Sequence, residues 1–493
     1  MKLACQKTKI VATIGPASKS RAVMEGMINA GMNVARLNFA HGTPDSHTLT
    51  IETLRAAARS TGQRIAIMAD LPGPKIRVGQ LAYEPIELKP ESSFILTTRD
   101  IIGDTDRVSI NFSRFPFVFK PGDTLFLNDG IIQLEALKIE GDQVFCRVII
   151  GGELRSHKGL NLPGIDLGVS AFTDRDHEWL KFAFEQGLDA VSQSFVESAA
   201  DIVAVREAAT AMGYHPYIIA KIERARALEH TNDILEVADG IMVARGDLGV
   251  EIPIEEIALI QKKLIHQANS FGKPVITATQ LLESMTANRR PTRAESTDVA
   301  NAVLDGTDCV MLSEESAMGN YPVEAVAMLA KIAAVTESCR LPPDLSDALR
   351  ESNGANSTAI TDVIALSVEM ALEYISSAAV FVRTHSGLMA RSIARFKPPV
   401  WIVAVSSLKA TCQHLVFTGG VYPVYEPNPP QDWNEYIHNW LSCHGSKGNL
   451  AILVEGPSLT HPVANHRMEI IRFNREAAIV NLQTGREEDV TQD

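Results

Sequence analysis

Several polar side chains of this 493-residue chain stand at the ends of apolar runs, where they can act on a ligand. Lys221 is the sharpest case. Ile218, Ile219 and Ala220 precede it and Ile222 follows, so an ammonium sits in an apolar stretch where it would be costly unpaired. Glu223 lies two residues on, and Arg245 and Asp247 end the next such run. Two carboxylates on neighbouring runs with a central lysine suit a divalent cation of the hard, oxygen-liganded kind. Arg36, Asn38 and His41 close an earlier run, and Asp70 closes another, followed by Lys75 and Arg77. Thr279, and Ser313 with Glu315, close two more. The cationic members suit an anionic, phosphorylated substrate. Each residue also has a plainer reading, because carboxylates and arginines at loop starts often form only structural ion pairs. His41, next to Gly42, equally suits a cap on the following helix. The pattern carries the argument more than any member.

Such a set needs a scaffold that brings strand ends together. Short apolar, β-branched runs alternate here with longer amphipathic ones, the rhythm of parallel strands joined by helices. Eight strands are predicted, at 8–15, 33–39, 65–71, 190–195, 217–222, 240–246, 274–279 and 309–313. Helical patterns at 20–30, 45–62, 199–213, 254–272 and 322–339 lie between them, most ending near a glycine. Eight such units predict a closed (β/α)8 barrel with its chemistry at the strands' C-terminal ends. The third and fourth strands are separated by roughly a hundred residues, far more than a connecting loop needs. Short strands predicted at 94–98, 107–111, 124–128, 131–139 and 144–150 make this insertion a small β domain over the barrel mouth. After Cys339, Leu341-Pro-Pro-Asp344 and the polar run 351–358 read as a linker. A third domain follows, with strands predicted at 379–384, 400–406, 421–426, 450–455 and 469–473. The expected segments are 1–73 and 171–340 for the barrel, 74–170 for the insertion, 341–358 for the linker, 359–475 for the C-terminal α/β domain and 476–493 for a polar tail.

Composition excludes other classes. The 46 basic and 59 acidic residues leave a net charge of −13, which repels nucleic-acid backbones and anionic membrane surfaces. Neither partner is expected. Hydrophobic residues at 45% and charged residues at 21% are ordinary globular values, which argues against a mostly disordered chain. The six cysteines include no CxxC pair and read as reduced. The N-terminus has no signal-peptide core and no run approaches about 18 uninterrupted apolar residues, so a soluble cytoplasmic protein is expected.

Longer motifs carry a resemblance. Thr8-Lys-Ile-Val-Ala-Thr-Ile-Gly-Pro16, Gly31-Met-Asn-Val-Ala-Arg-Leu-Asn-Phe39, Gly240-Ile-Met-Val-Ala-Arg-Gly-Asp-Leu-Gly-Val-Glu251 and Ala278-Thr-Gln280 with Glu283-Ser-Met285 resemble segments of the pyruvate kinases. So do Pro291-Thr-Arg-Ala-Glu295 and Asp298-Val-Ala-Asn-Ala-Val-Leu-Asp-Gly306. The resemblance implies a (β/α)8 TIM barrel, an inserted small β-barrel lid domain and a C-terminal α/β regulatory domain. It implies transfer of the phosphoryl group of phosphoenolpyruvate to ADP and protonation of the resulting enolpyruvate, the last step of glycolysis. Lys221 would then stabilise charge on the transferring phosphoryl group and the enolate oxygen. Glu223 and Asp247 would hold Mg2+, with Mn2+ as the alternative, and the Gly246 amide would lie near the substrate carboxylate. Thr279 would touch that carboxylate on the side of proton delivery, and Ser313 is a candidate relay. Arg36, Asn38, His41 and Arg77 would line the nucleotide and phosphoryl region. Lys158, in Lys158-Gly-Leu-Asn-Leu-Pro-Gly164, would approach the nucleotide phosphates from a lid whose closure excludes water.

Two departures from the family pattern matter. Leu312-Ser-Glu-Glu-Ser-Ala317 places Glu314 where the family has Gly or Ala, and an exposed, solvent-facing side chain is the favoured reading. Asp70-Leu-Pro-Gly-Pro-Lys-Ile-Arg77 carries Lys75 where K+-dependent members have Glu, and Ala40 stands where they have a Ser ligand. Asn38 and Asp70 remain of that cation position, and the Lys75 ammonium would bring the charge instead. With Leu71 and Val78, this resembles the K+-independent branch, so no K+ requirement is expected. The family also implies a homotetramer and a phosphorylated effector, a sugar phosphate or nucleoside monophosphate, for which Thr384-His-Ser-Gly387 offers hydroxyls and amides. A plain helix cap is the alternative there. The rival functions are another Mg-dependent phosphoenolpyruvate-using barrel enzyme, a lyase or aldolase, and an inactive sugar-phosphate-sensing paralogue.

Overall fold

A computed structural model describes residues 3–128, 130–165, 167–340, 359–446, 448–456 and 466–473. The chain first lays down β1 (Lys9–Thr13), β2 (Met32–Asn38) and β3 (Ala66–Leu71). An excursion follows through β4 (Ile86–Leu88), β5 (Ser93–Thr97), β6 (Arg107–Ser109), β7 (Thr124–Leu127), β8 (Ile132–Glu140), β9 (Gln143–Ile150), β10 (Gly152–Leu154) and β11 (Leu160–Asn161). It then adds β12 (Ala190–Gln193), β13 (Tyr217–Ile222), β14 (Gly240–Ala244), β15 (Val275–Ala278) and β16 (Cys309–Leu312). β1 pairs with both β2 and β16, and the eight parallel strands close a barrel in the order β1-β16-β15-β14-β13-β12-β3-β2. All eight predicted barrel strands are present.

Alternation along each strand sorts its side chains. Ile10, Ile67, Ile218, Ile241 and Val310 join the cluster under the surrounding helices, whereas Val11, Val34, Met68, Ile219, Met242 and Met311 fill the barrel interior. Continuing the inner column two residues at a time reaches Thr13, Arg36, Asp70, Ser192 and Lys221, a polar layer above an apolar one. β14 differs from its predicted extent of 240–246. It stops at Ala244, and Arg245–Glu251 turn into a short helix, so Gly246 and Asp247 stand in a first helical turn. An acidic residue is favoured there by the unpaired amides of the helix start.

The insertion forms a six-stranded sheet, β11-β7-β8-β9-β5-β6, around Phe94, Phe115, Leu125, Ile132 and Val148. Arg77 bridges to Gly159 beside β11, and Val78 bridges to Ile110 beside β6. One short segment therefore ties both edges of the sheet and curls it toward closure. The two- and three-residue strands β4, β10 and β11 are absent from the sequence reading because no alternation is visible over so short a span.

β17 (Ala379–Arg383), β18 (Trp401–Ser406), β19 (Val421–Tyr425), β20 (Leu450–Glu455) and β21 (Arg467–Arg472) make a separate five-stranded sheet, parallel except for β21. It docks under the barrel floor, where Val416 and Phe417 join the interior cluster of Val11, Ile219 and Met311. Lys397 and Asp308 form a buried ion pair of 2.8 Å across this contact. The linker 341–358 and the tail 476–493 expected from sequence lie outside the described residues.

Candidate active site

Lys221 ends the inner column of β13, only 8% exposed. Its ammonium lies 2.8 Å from Glu223 Oε1 and 3.4 Å from Asp70 Oδ1, and it donates to Ser194 Oγ at 2.7 Å. Burial acts against its charge, but Asp70 and Glu223 outweigh burial and raise its pKa. Asp70 is the hub of this network. It pairs with the Arg36 guanidinium through Nε at 2.9 Å and through Nη2, and it accepts from Ser192 Oγ at 2.7 Å. Burial alone would raise its pKa, yet Arg36, Lys221 and these hydrogen bonds hold it at about 2. Arg36 Nη1 donates to Thr13 Oγ1 at 2.8 Å, which fixes the guanidinium plane.

Glu223 is 1% exposed and accepts from the Phe195 amide at 2.8 Å. Burial raises its pKa, Lys221 opposes this, and the nearby charge of Asp247 raises it further. A buried carboxylate whose ionisation is opposed by a neighbouring carboxylate is what a divalent cation would relieve. Among the described residues no group of three or more His, Cys, Asp or Glu converges on a metal-sized space. Glu223 and Asp247 are hard oxygen donors whose charges already interact, and substrate oxygens and water would supply the other ligands. The residues present therefore fit a divalent ion. Lys75 reaches Asp247, 3.6 Å from Oδ1.

Thr279 follows β15 with φ of +73°, and Gln280 follows with +56°. A Cβ on Gly246 would lie 2.6 Å from Thr279 Cγ2, so glycine there lets the threonine methyl seat against the helix start. Ser313 caps β16, and its amide donates to the buried Glu315 at 2.8 Å. Glu315 also accepts from Leu282 N at 3.1 Å, so it braces the turn beyond Thr279 rather than facing a ligand. Glu314 is exposed, as favoured from sequence.

The remaining cations gather on one side of the mouth. His41 is pushed below its ordinary pKa, first by partial burial and then by Arg77, Lys75, Arg36 and Arg175. The surrounding positive charge suits polyphosphate. Asn38 Oδ1 accepts from Ala40 N at 3.0 Å. Arg77 Nη1 donates to His157 O at 2.9 Å, and Val78 N donates to the Lys158 carbonyl at 3.0 Å, so the insertion's root carries both cations. The insertion reaches over the mouth, since a Cβ on Gly130 would lie 3.2 Å from Val250 Cγ2 in the Asp247 helix. Thr384 and Ser386 lie in the loop between β17 and the helix that starts at Leu388. Their hydroxyls accept from the Gly387 amide at 2.9 Å and the Leu388 amide at 3.4 Å, while that helix has Gly387 at its N-cap position and no side-chain cap, so the plain helix cap is not what these residues form.

Thr13, Ser192 and Ser194 were not singled out from sequence, although their signal exists. Thr13 and Ser192 lie on the inner period of β1 and β12, and Ser194 continues that period just past β12. Arg245 was noticed only as a strand-end cation, and it turns away from the Lys221 network to donate to Ala278 O, Thr279 O and Asp298.

Comparison with known proteins agrees with this arrangement. A family model described as pyruvate kinase, barrel domain, matches residues 5–326, and one described as pyruvate kinase, alpha/beta domain, matches residues 362–460. A pyruvate kinase of Thermococcus litoralis is 48% identical over 86% of this chain and 89% of that protein. One of Geobacillus stearothermophilus is 42% identical over 86% of this chain and 72% of its own length. Pyruvate kinase 2 of Synechocystis is 43% identical over 92% of this chain and 76% of that protein. A closed barrel with its charged layer at the strand ends, matched over both the barrel and the α/β domain, places this chain in the pyruvate kinase family of phosphotransferases.

Proposed function

We propose that this chain transfers the phosphoryl group of phosphoenolpyruvate to ADP and protonates the resulting enolpyruvate. The observation that carries the reading is the Lys221 ammonium, buried yet held charged by Asp70 and Glu223 at the centre of the mouth. A fixed, desolvated cation stabilises charge that develops on a transferring phosphoryl group and on an enolate oxygen, and it needs no reorganisation when that charge appears. Glu223 and Asp247 are the residues that would hold Mg2+, or Mn2+, which supplies charge neutralisation of phosphoryl and enolate oxygens when bound. Arg36, locked to Asp70 and Thr13, directs its remaining guanidinium edge toward phosphate. The Gly246 amide and Thr279 hydroxyl receive the substrate carboxylate, and Thr279, with Ser313 as candidate relay, serves the face where the proton arrives. Asn38, His41, Arg77 and Lys158 line the nucleotide side, and closure of the insertion excludes water from the transfer.

K+ is proposed not to be required. Asp70 is already neutralised by Arg36 and Lys221, and Asn38 Oδ1 is engaged by Ala40, so two of the groups that would receive the ion are in use. Lys75 brings positive charge to the same mouth. A cytoplasmic homotetramer is the expected assembly, checked by light scattering. Among the described residues, no helix is long and apolar enough to cross a membrane. A phosphorylated effector at Thr384–Gly387 would have to displace two hydroxyl-to-amide bonds, and Ser386→Asp should then abolish activation by sugar phosphates. The primary test is ADP-dependent pyruvate formation by the purified chain, with and without Mg2+. Phosphoenolpyruvate consumption without ATP formation would point to a lyase or aldolase, and no turnover to an inactive paralogue.

A further inference from the structure

Thr279 is a β-branched residue in the left-handed region, a genuine outlier for its type, and Gln280 beside it is left-handed as well. Such a residue is strained and persists only where the surroundings over-determine it. One side chain does so here. Arg245 Nη2 donates to Thr279 O at 2.7 Å and Nε donates to Ala278 O at 3.2 Å, so a single planar fork grips two successive carbonyls. The fork is anchored in turn, with Nη1 donating to Asp298 Oδ1 at 2.7 Å and to Gln261 Oε1 at 3.2 Å. Arg245 also opens the helix that carries Gly246 and Asp247. The guanidinium thus locks the turn bearing Thr279 to the helix bearing the proposed carboxylate amide and metal ligand, elements separated in sequence by a long helix and one strand.

We infer that Arg245, oriented by Asp298, is the positioning residue that sets Thr279 for its work on the substrate, an inference that rests on reading Thr279 as substrate-facing. The partners of the Arg245 guanidinium are Ala278 O, Thr279 O, Gln261 and Asp298 rather than Lys221, Asp70 or Glu223, so it acts through Thr279. A lysine cannot replace it, because a point donor grips one carbonyl and leaves the other free.

The test is a double-mutant cycle on the full chain with two readouts. One is kcat and KM in ADP-dependent pyruvate formation. The other is Mg2+-dependent exchange of pyruvate methyl hydrogens with heavy water in the presence of ATP, which reports proton delivery. Arg245→Met should lower kcat and methyl exchange together by about 100-fold, the usual effect of misplacing a catalytic group by about 1 Å, while KM for ADP stays within about twofold. Arg245→Lys should recover little of this, and Asp298→Asn, which keeps a hydrogen bond, should lose about tenfold. In a Thr279→Ala background, Arg245→Met should add less than about threefold, because no hydroxyl remains to be misplaced. Repetition of the full loss in that background would overturn the inference, as would near-normal turnover and exchange in Arg245→Met. Should Arg245→Met not fold, as judged by circular dichroism, the same cycle with Asp298→Asn decides. Normal turnover and exchange in Thr279→Ala alone would instead overturn the reading of Thr279, and with it this role.

Discussion

Gly246→Ala isolates the contact between the helix start and Thr279. The added Cβ would lie 2.6 Å from Thr279 Cγ2, whereas ordinary carbon contacts lie at about 3.5–4.0 Å, so one of the two must retreat by about 1 Å. Helix propensity opposes no part of the change, because alanine is favoured over glycine in a helix by about 1 kcal/mol. Any loss therefore comes from the displaced threonine or the displaced amide. A shift of that size at reacting groups lowers turnover by about 100-fold, and overpacking destabilises by about 1–3 kcal/mol. The assay is kcat and KM for phosphoenolpyruvate at saturating ADP and Mg2+, with thermal melting as the control for folding. Thr279→Ser removes the clashing methyl and keeps the hydroxyl. The double variant should therefore regain at least about tenfold over Gly246→Ala alone, a coupling expected of touching residues. A double variant no better than the product of the two single losses would refute the reasoning, and so would a fully active Gly246→Ala.

Lys221→Met should lower kcat by about 10²–10³ or more with a smaller change in KM, since its charge acts mainly in the transition state; near-normal turnover would remove it from the mechanism. Asp70 is a carboxylate held down from 3.8 to about 2, so its contribution is complete above its unfolded pKa and is lost as pH falls through about 2. The difference amounts to about 2–3 kcal/mol, and acid unfolding of Asp70→Asn against the parent should lack that part of the pH dependence between about pH 4 and 2; identical slopes would contradict it. The unmodified enzyme should be almost fully active in buffers free of K+ and NH4+, and Lys75→Glu should gain K+ dependence at lower activity. Strong K+ stimulation of the unmodified enzyme at saturating Mg2+ would count against the assignment of Lys75.

Much of this protein was legible in the order of its residues. Most barrel strands are largely apolar runs with polar residues at or just beyond their C-terminal ends, as burial on both faces of a parallel barrel strand demands, although β2 and β12 carry polar residues within them. Lys221, Glu223, Arg36, Asp70 and Thr279 stood out because each breaks such a run at its end. Three features were less legible: the start of a helix at Arg245, where Gly246 and Asp247 read equally well as extended; the strands β4, β10 and β11, too short to show a period; and Ser192 and Ser194, whose small hydroxyls are unremarkable until their inner face is known.

Tertiary structure alone decided which groups meet. Alternation is a local property, so sequence could place Asp70 and Lys221 at strand ends. Their pairing depends on the closure that sets β3, β12 and β13 side by side, with Asp70 in register with Ser192. The same holds for Lys75, which meets Asp247 only because the insertion's root passes over the end of β14. The left-handed backbone of Thr279 and the fork of Arg245 beneath it could not be read in advance, because nothing in a threonine announces a positive φ. That conformation is imposed by partners distant in sequence, and its energetic cost is offset by contacts that exist only once the barrel has closed.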